Sequence, residues 1–143
     1  GTGFVATNVH DAIVESGAKL VEVDVTATAT ASTSSTTDAL MTGMTMTPAA
    51  GTYLVWFSCD INSSSAGAAI SVSYYVGGVQ VASSLRKIIP FSGGTLTSGS
   101  GRGCMAFQSI ITVTGSQAIE VRWSTSSGTV TAASRAFSSL RVS

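Results

Sequence analysis

From Lys19 onward, apolar side chains recur at every second position. Val21, Val23, Val25, Ala27 and Ala29 alternate with Glu22, Asp24, Thr26, Thr28 and Thr30. A strand puts alternate side chains on opposite faces, so this run predicts a half-buried β-strand. Residues 31–38 are polar and read as a connector. Leu40, Met44 and Met46 share a parity, with Gly43 marking a candidate bulge, and residues 48–51 form a turn. Tyr53, Val55, Phe57, Cys59 and Ile61 make the strongest strand. Its other face carries Leu54, Trp56, Ser58 and Asp60, which predicts cover on both sides at one end. Ile70, Val72, Tyr74 and Val76 follow. Gly77-Gly78 is a two-residue hairpin turn, because such turns demand positive φ, and the return strand runs from Val79 to about Ile89.

Residues 91–103 hold five glycines and read as a long flexible loop. Met105, Phe107, Ile111 and Val113 resume the alternation. Gly115 turns the chain, and Ile119, Val121 and Trp123 return it. After Gly128 come a short strand at Val130 and Ala132 and a closing one through Phe137, Leu140 and Val142. Tyr53, Val55, Phe57, Val72, Tyr74, Phe107, Ile111, Ile119, Val121 and Trp123 are the expected core. The pattern predicts an all-β fold, an antiparallel jelly-roll β-sandwich of eight or nine strands.

The first 17 residues differ. Val9, Ala12 and Ile13 fall on one face at helical spacing, Asn8 is a fitting N-cap and Gly17 a fitting stop. This predicts one short N-terminal helix over 8–16. Such a helix is marginal alone and needs something to dock on. The organisation expected is therefore a docking segment, 1–17, and a jelly-roll domain, 18–143.

Composition sharpens the picture. Only 10% of the 143 residues are charged, seven basic and seven acidic, while serine and threonine make up roughly 30%. Ordinary soluble domains carry roughly 25% charge and stay soluble by net charge away from zero. This surface suits a chain packed against copies of itself or a larger assembly. Scattered arginines and zero net charge argue against nucleic acid. No apolar run is long enough to span a membrane, and no secretory signal is read at the N-terminus.

Candidate chemistry is sparse. His10 is the only histidine and falls on the polar side of the expected helix. No nucleophile elbow occurs, and nothing in the sequence brings Asp24 to Glu22 or Asp60 to Glu120 as a catalytic pair. The glycine-rich run 99–103 lacks the lysine and following helix of a phosphate loop. Cys59 and Cys104 read as two buried free thiols, with a disulfide as the alternative. Asn62-Ser63-Ser64 matches a glycosylation sequon, a weak signal. No enzyme, metal or cofactor is expected.

Several segments resemble virion proteins of tailed bacteriophages. Residues 7–13, Thr-Asn-Val-His-Asp-Ala-Ile, are similar to a segment that precedes folded domains of phage fibre and capsid-surface proteins, with His10 where glutamine is usual. Residues 48–55, Pro-Ala-Ala-Gly-Thr-Tyr-Leu-Val, resemble the lead-in to a central jelly-roll strand, shared with complement globular-head and tumour-necrosis-factor-like domains. The hairpin 75–83 and the closing strands 119–123 and 134–142 resemble the same phage proteins.

The resemblance implies a capsid cement or decoration protein on the outer capsid surface of a virion, stabilising contacts between major capsid protein subunits. The alternative is the receptor-binding head of a tail or head fibre. The absence of a shaft, of heptads and of a collagen-like repeat favours the former. A homodimer or homotrimer is expected, because two lysines and two prolines leave little to blunt sheet edges. The expected capsid and partner contacts are Phe4, Val5, Val9 and Ile13 in the N-terminal segment and Leu96 and Arg102 in the loop.

Overall fold

A computed structural model describes residues 22–90 and 101–143 of the chain. The expected helix, with Phe4, Val5, Val9 and Ile13, lies outside these residues, as does Leu96. The backbone of Arg102 pairs with Asn62, but its side chain also lies outside the described set.

Ten strands form two antiparallel sheets: β1 (Glu22–Ala27), β2 (Ala31–Thr33), β3 (Ala39–Met46), β4 (Gly51–Ser63), β5 (Ile70–Val76), β6 (Val79–Gln80), β7 (Arg86–Ile88), β8 (Gly101–Val113), β9 (Ile119–Thr125) and β10 (Val130–Arg141). Sheet A has the order β1-β10-β4-β8, with β2 extending the β1 edge of β10. Sheet B has the order β3-β9-β5, with β6 and β7 in turn along the outer side of β5. From β3 to β10 the chain crosses repeatedly between the sheets, which is the wrapping of a jelly roll.

The period-two pattern sets which side chains fill the space between the sheets. All ten expected core residues are buried. One row is decisive. Phe137, Phe57 and Phe107 stand side by side on β10, β4 and β8. Tyr74 enters from sheet B, with ring centroids 4.6 Å from Phe107 and 5.8 Å from Phe137. Its hydroxyl donates to the Phe107 carbonyl at 2.9 Å, so the one polar atom brought into this cluster is paired. The four rings therefore join the two sheets.

Four details depart from the sequence expectation. Leu40 is 46% exposed while Met41 is fully buried. Gly43 takes φ 79°, and the pairing of β3 with β9 slips between Leu40 and Thr45. The bulge reverses the parity, so Met41 and Met44 both point inward. Second, Ala31–Thr33, read as connector, pairs with β10 as β2. Third, the last two expected strands are one, β10, bent by a bulge between Ala133 and Ala136 with Ser134 at φ 48°.

The fourth is the return strand after Gly77-Gly78, which splits into β6 and β7 around a 3-10 turn at Ala82–Ser84. The two glycines take φ 55° and 84°, as the hairpin requires. Beyond it, the buried Ser84 hydroxyl accepts from the Tyr74 amide at 2.9 Å and donates to the Val81 carbonyl at 2.7 Å. A side chain thus replaces a ladder partner where the strand leaves the sheet.

Candidate interaction surface

The two sheets present unlike outer faces. On sheet B, β9 and β5 send out Glu120, Arg122 and Ser124, and Ser73 and Tyr75. Arg122 forms a two-nitrogen contact with Glu120, at 2.8 Å from Nε and 2.7 Å from Nη2. Its guanidinium lies 4.5 Å from the centre of the Tyr75 ring, a cation–π arrangement. Asp38, just before β3, accepts from the Tyr75 hydroxyl at 2.7 Å and from Ser124 Oγ at 2.8 Å. Gln80 Nε2 bridges Asp38, at 3.4 Å, and Ser73 Oγ, at 3.0 Å. The Asp38 hydrogen bond raises the Tyr75 pKa, burial and the Asp38 charge add to this, and Arg122 opposes it. Asp38 accepts three hydrogen bonds, so this network fastens the 34–38 connector to the sheet. It is a fixed, partly solvated polar face.

Sheet A is different. The register aligns Leu140, Leu54 and Ile110 in one row across β10, β4 and β8. The next rows are Ser138, Trp56 and Gln108, then Ala136, Ser58 and Ala106. These nine side chains carry no charge. Ile110 is 67% exposed, and Trp56 and Leu54 are half-buried. Isolated exposed leucines are ordinary; here three aliphatic side chains and Trp56 lie together, with Asp24 of β1 beside Ser138. Among the described residues, β8 pairs only with β4. Its free edge runs without a lysine or proline, the devices that usually keep an edge from pairing with another chain.

The comparisons bear on this arrangement. No protein-family model and no curated protein matches the chain. Solved structures do. Capsid protein VP2 of infectious bursal disease virus, in a subviral particle, superposes with TM-score 0.55 at 18% identity over 86% of this chain and 33% of that one. Eiger TNF from S. frugiperda gives TM-score 0.55 at 9% identity, over 87% of this chain and 94% of that one. Dimeric latent PorU from Porphyromonas gingivalis gives 0.56 at 10% identity, covering 86% of this chain and 13% of that one. The chain shares their fold. It spans a third or less of the viral and PorU chains and nearly all of the Eiger chain.

The cysteines correct the expectation of two buried thiols. Cys59 is buried and Cys104 exposed. Cys59 stands opposite Met105 and Asp60 opposite Cys104, so the two thiols are on opposite faces of sheet A and are not bonded to each other. Burial pushes the Cys59 thiol up to about 12, with the Asp60 charge adding. Among the described residues no three His, Cys, Asp or Glu side chains cluster, and no helix is long and apolar enough to cross a membrane. The sequon residue Asn62 lies inside β4, paired on both sides.

One charged residue escaped the sequence reading. Arg135, at the β10 bulge, is 4% exposed. Its guanidinium donates to the Thr42 carbonyl in β3 and, at 2.7 Å, to the Ala29 carbonyl between β1 and β2. Its Nε has no partner among the described residues. Arg135 is thus a clamp between sheets. The only available signal was its place beside Ser134, in a run whose alternation fails.

Proposed function

We propose that this chain is a virion structural protein, a cement or decoration protein that docks on the outside of a phage capsid and reinforces contacts between major capsid protein subunits. On this reading it performs no catalysis and needs no cofactor. The observation that carries it is the apolar Leu140–Leu54–Ile110 row on the outer face of sheet A, beside the edge of β8 that pairs with no strand among the described residues. Such a face is costly to leave in water and gains by burial against another protein. The scarcity of charge across the chain supports the same reading, as does the jelly-roll fold shared with a viral capsid protein. Self-association as a dimer or trimer follows from the same face, since identical chains favour closed symmetry.

Cement stabilises a shell by binding the assembled state and not the loose one. The test is to strip the protein from purified particles, heat them, and count its copies. A lower shell melting temperature and hundreds of copies support the proposal. Unchanged melting, or a handful of copies, refutes it and favours the fibre-head reading.

A further inference from the structure

We propose that the Leu140–Leu54–Ile110 row is the seat of this chain's own N-terminal segment, with the expected helix over 8–16 laid across the strands and Val9, Ala12 and Ile13 turned onto the row. The seat forms in the free chain and so does not depend on the assembly reading above. Only its consequence rests on that reading: the face that docks on a capsid is one the segment must first leave, which makes the segment a displaceable cap.

Position and length point to this occupant. β1 begins at Glu22, and Glu22 is paired with Leu140. Leu140 is paired with Leu54, and Leu54 with Ile110. The row therefore starts beside the residue at which the N-terminal segment joins the sheet. Glu22 and Ile110 are three strand spacings apart, about 14 Å. A helix of nine residues is about 14 Å long, so one laid across the strands matches the row from end to end. Residues 17–21 supply up to about 17 Å of chain to turn from β1 onto the face. Docking of a segment tethered this closely has the advantage of a high effective concentration over docking from solution.

The other stretch outside the described residues, 91–100, is too short to reach the row. It follows Pro90, and β7 ends at Ile88, whose side chain lies against Gly103. It returns to the sheet at Gly101, nine residues before Ile110 on β8. At roughly 3.4 Å per residue, both of its ends are about 30 Å from Ile110. A path out to Ile110 and back needs roughly 60 Å, while the eleven links from Pro90 to Gly101 span less than about 40 Å. The chemistry agrees with the geometry. A helix this short is marginal alone and gains its stability by burying an apolar stripe. The row offers three aliphatic side chains backed by Trp56, with Ile110 67% exposed.

The test uses the full chain, free of any particle and methyl-labelled for NMR. Nuclear Overhauser contacts should connect the methyls of Val9 and Ile13 with those of Leu54 and Ile110. Val9→Asp combined with Ile13→Asp should abolish those contacts and move the amide signals of Leu54, Ile110 and Leu140. In a Cys104→Ser background, where the remaining native thiol, Cys59, is buried, a Gln108→Cys thiol beside the row should react with N-ethylmaleimide several-fold faster once the two aspartates are present. Ile13→Leu, which keeps the apolar stripe, should leave the contacts and the reaction rate as they are. The proposal is overturned if the contacts are missing and the double substitution moves none of the three amides. It is also overturned if, in a mixture of labelled and unlabelled chains, the contacts run only between different chains, which would give the seat to a second copy. Neither result bears on shell melting or copy number, so failure of the seat is told apart from failure of the cement reading.

Discussion

Replacing Phe57 with alanine tests the packing on which everything else rests. Phe57 is 1% exposed and stands in the centre of the Phe137–Phe57–Phe107 row. Its ring meets Phe107 edge-on, with centroids 5.9 Å apart and planes at 67°. Phe→Ala in a core costs about 3–5 kcal/mol, rising with the cavity left behind. Here the cavity is walled by three strands in fixed register and by Tyr74, whose hydroxyl is tied to the Phe107 carbonyl, so the walls have little freedom to collapse. Loss of the edge-on pair adds to the transfer cost. A value of about 4 kcal/mol is expected, a large share of the roughly 5–15 kcal/mol that holds a domain together. With a urea slope on the order of 2 kcal/mol per M for a chain of this size, the unfolding midpoint should fall by about 2 M. The control is Ile110→Ala. Ile110 is three residues past Phe107 on β8, on the opposite face and 67% exposed, and its loss should cost under about 1 kcal/mol. If Phe57→Ala moved the midpoint by less than about 0.5 M, or less than Ile110→Ala did, the strand register would be off by one residue and inner and outer faces exchanged.

Removing Arg135 (Arg135→Ala) strands the Ala29 and Thr42 carbonyls and should cost about 2–4 kcal/mol; hydrogen exchange should speed up in residues 41–45, and a loss under about 0.5 kcal/mol would dismiss the clamp. In native protein, Ellman's reagent should titrate one thiol per chain, Cys104, and Cys59 only after unfolding; two fast thiols would contradict the placement. Because burial keeps the Cys59 proton on in the folded state, its contribution to stability is full below pH 9.0 and is lost as pH rises toward about 12, an effect that Cys59→Ala should remove from the pH dependence of urea unfolding. Ile110→Asp should abolish self-association in sedimentation velocity without lowering the melting temperature by more than about 2 °C; an unchanged oligomer would move the interface off this face.

The long strands were legible in the sequence because their alternation is local: side chains two apart share a face whatever lies across the sheet. That is why Tyr53 through Ile61 and Ile119 through Trp123 read correctly, and why Gly77-Gly78 announced its own turn. What was hidden depends on partners far along the chain. Gly43 signalled a bulge, but its reversal of parity between Leu40 and Met41 is set by the pairing with β9. Ser84 looks like any polar return-strand residue until Tyr74 is beside it. Asp38 belonged to a featureless connector, and only the fold brings it to Tyr75, Gln80 and Ser124. The row of Leu140, Leu54 and Ile110 needed the register of three strands. The contacts expected at Phe4, Val5, Val9 and Ile13 rested on a marginal helix that needs a partner, and those at Leu96 and Arg102 on a loop that can order on contact; all six side chains fall outside the described residues.

The position of β10 has a consequence for how the domain comes into being. It is the latest strand of the fold in chain order, yet it lies inside sheet A, between β1 and β4. Among the described residues β1 has no other strand partner. Until β10 arrives, β1 has no strand beside it and β4 presents an open side more than ten residues long. Arg135 then links positions 106 and 93 residues away in one step. Closure therefore depends on contacts of very high sequence separation, the kind that folds slowly. A chain interrupted before Val130 holds an empty strand slot, and a peptide spanning 130–143, from the same molecule or from another, has the sequence to fill it.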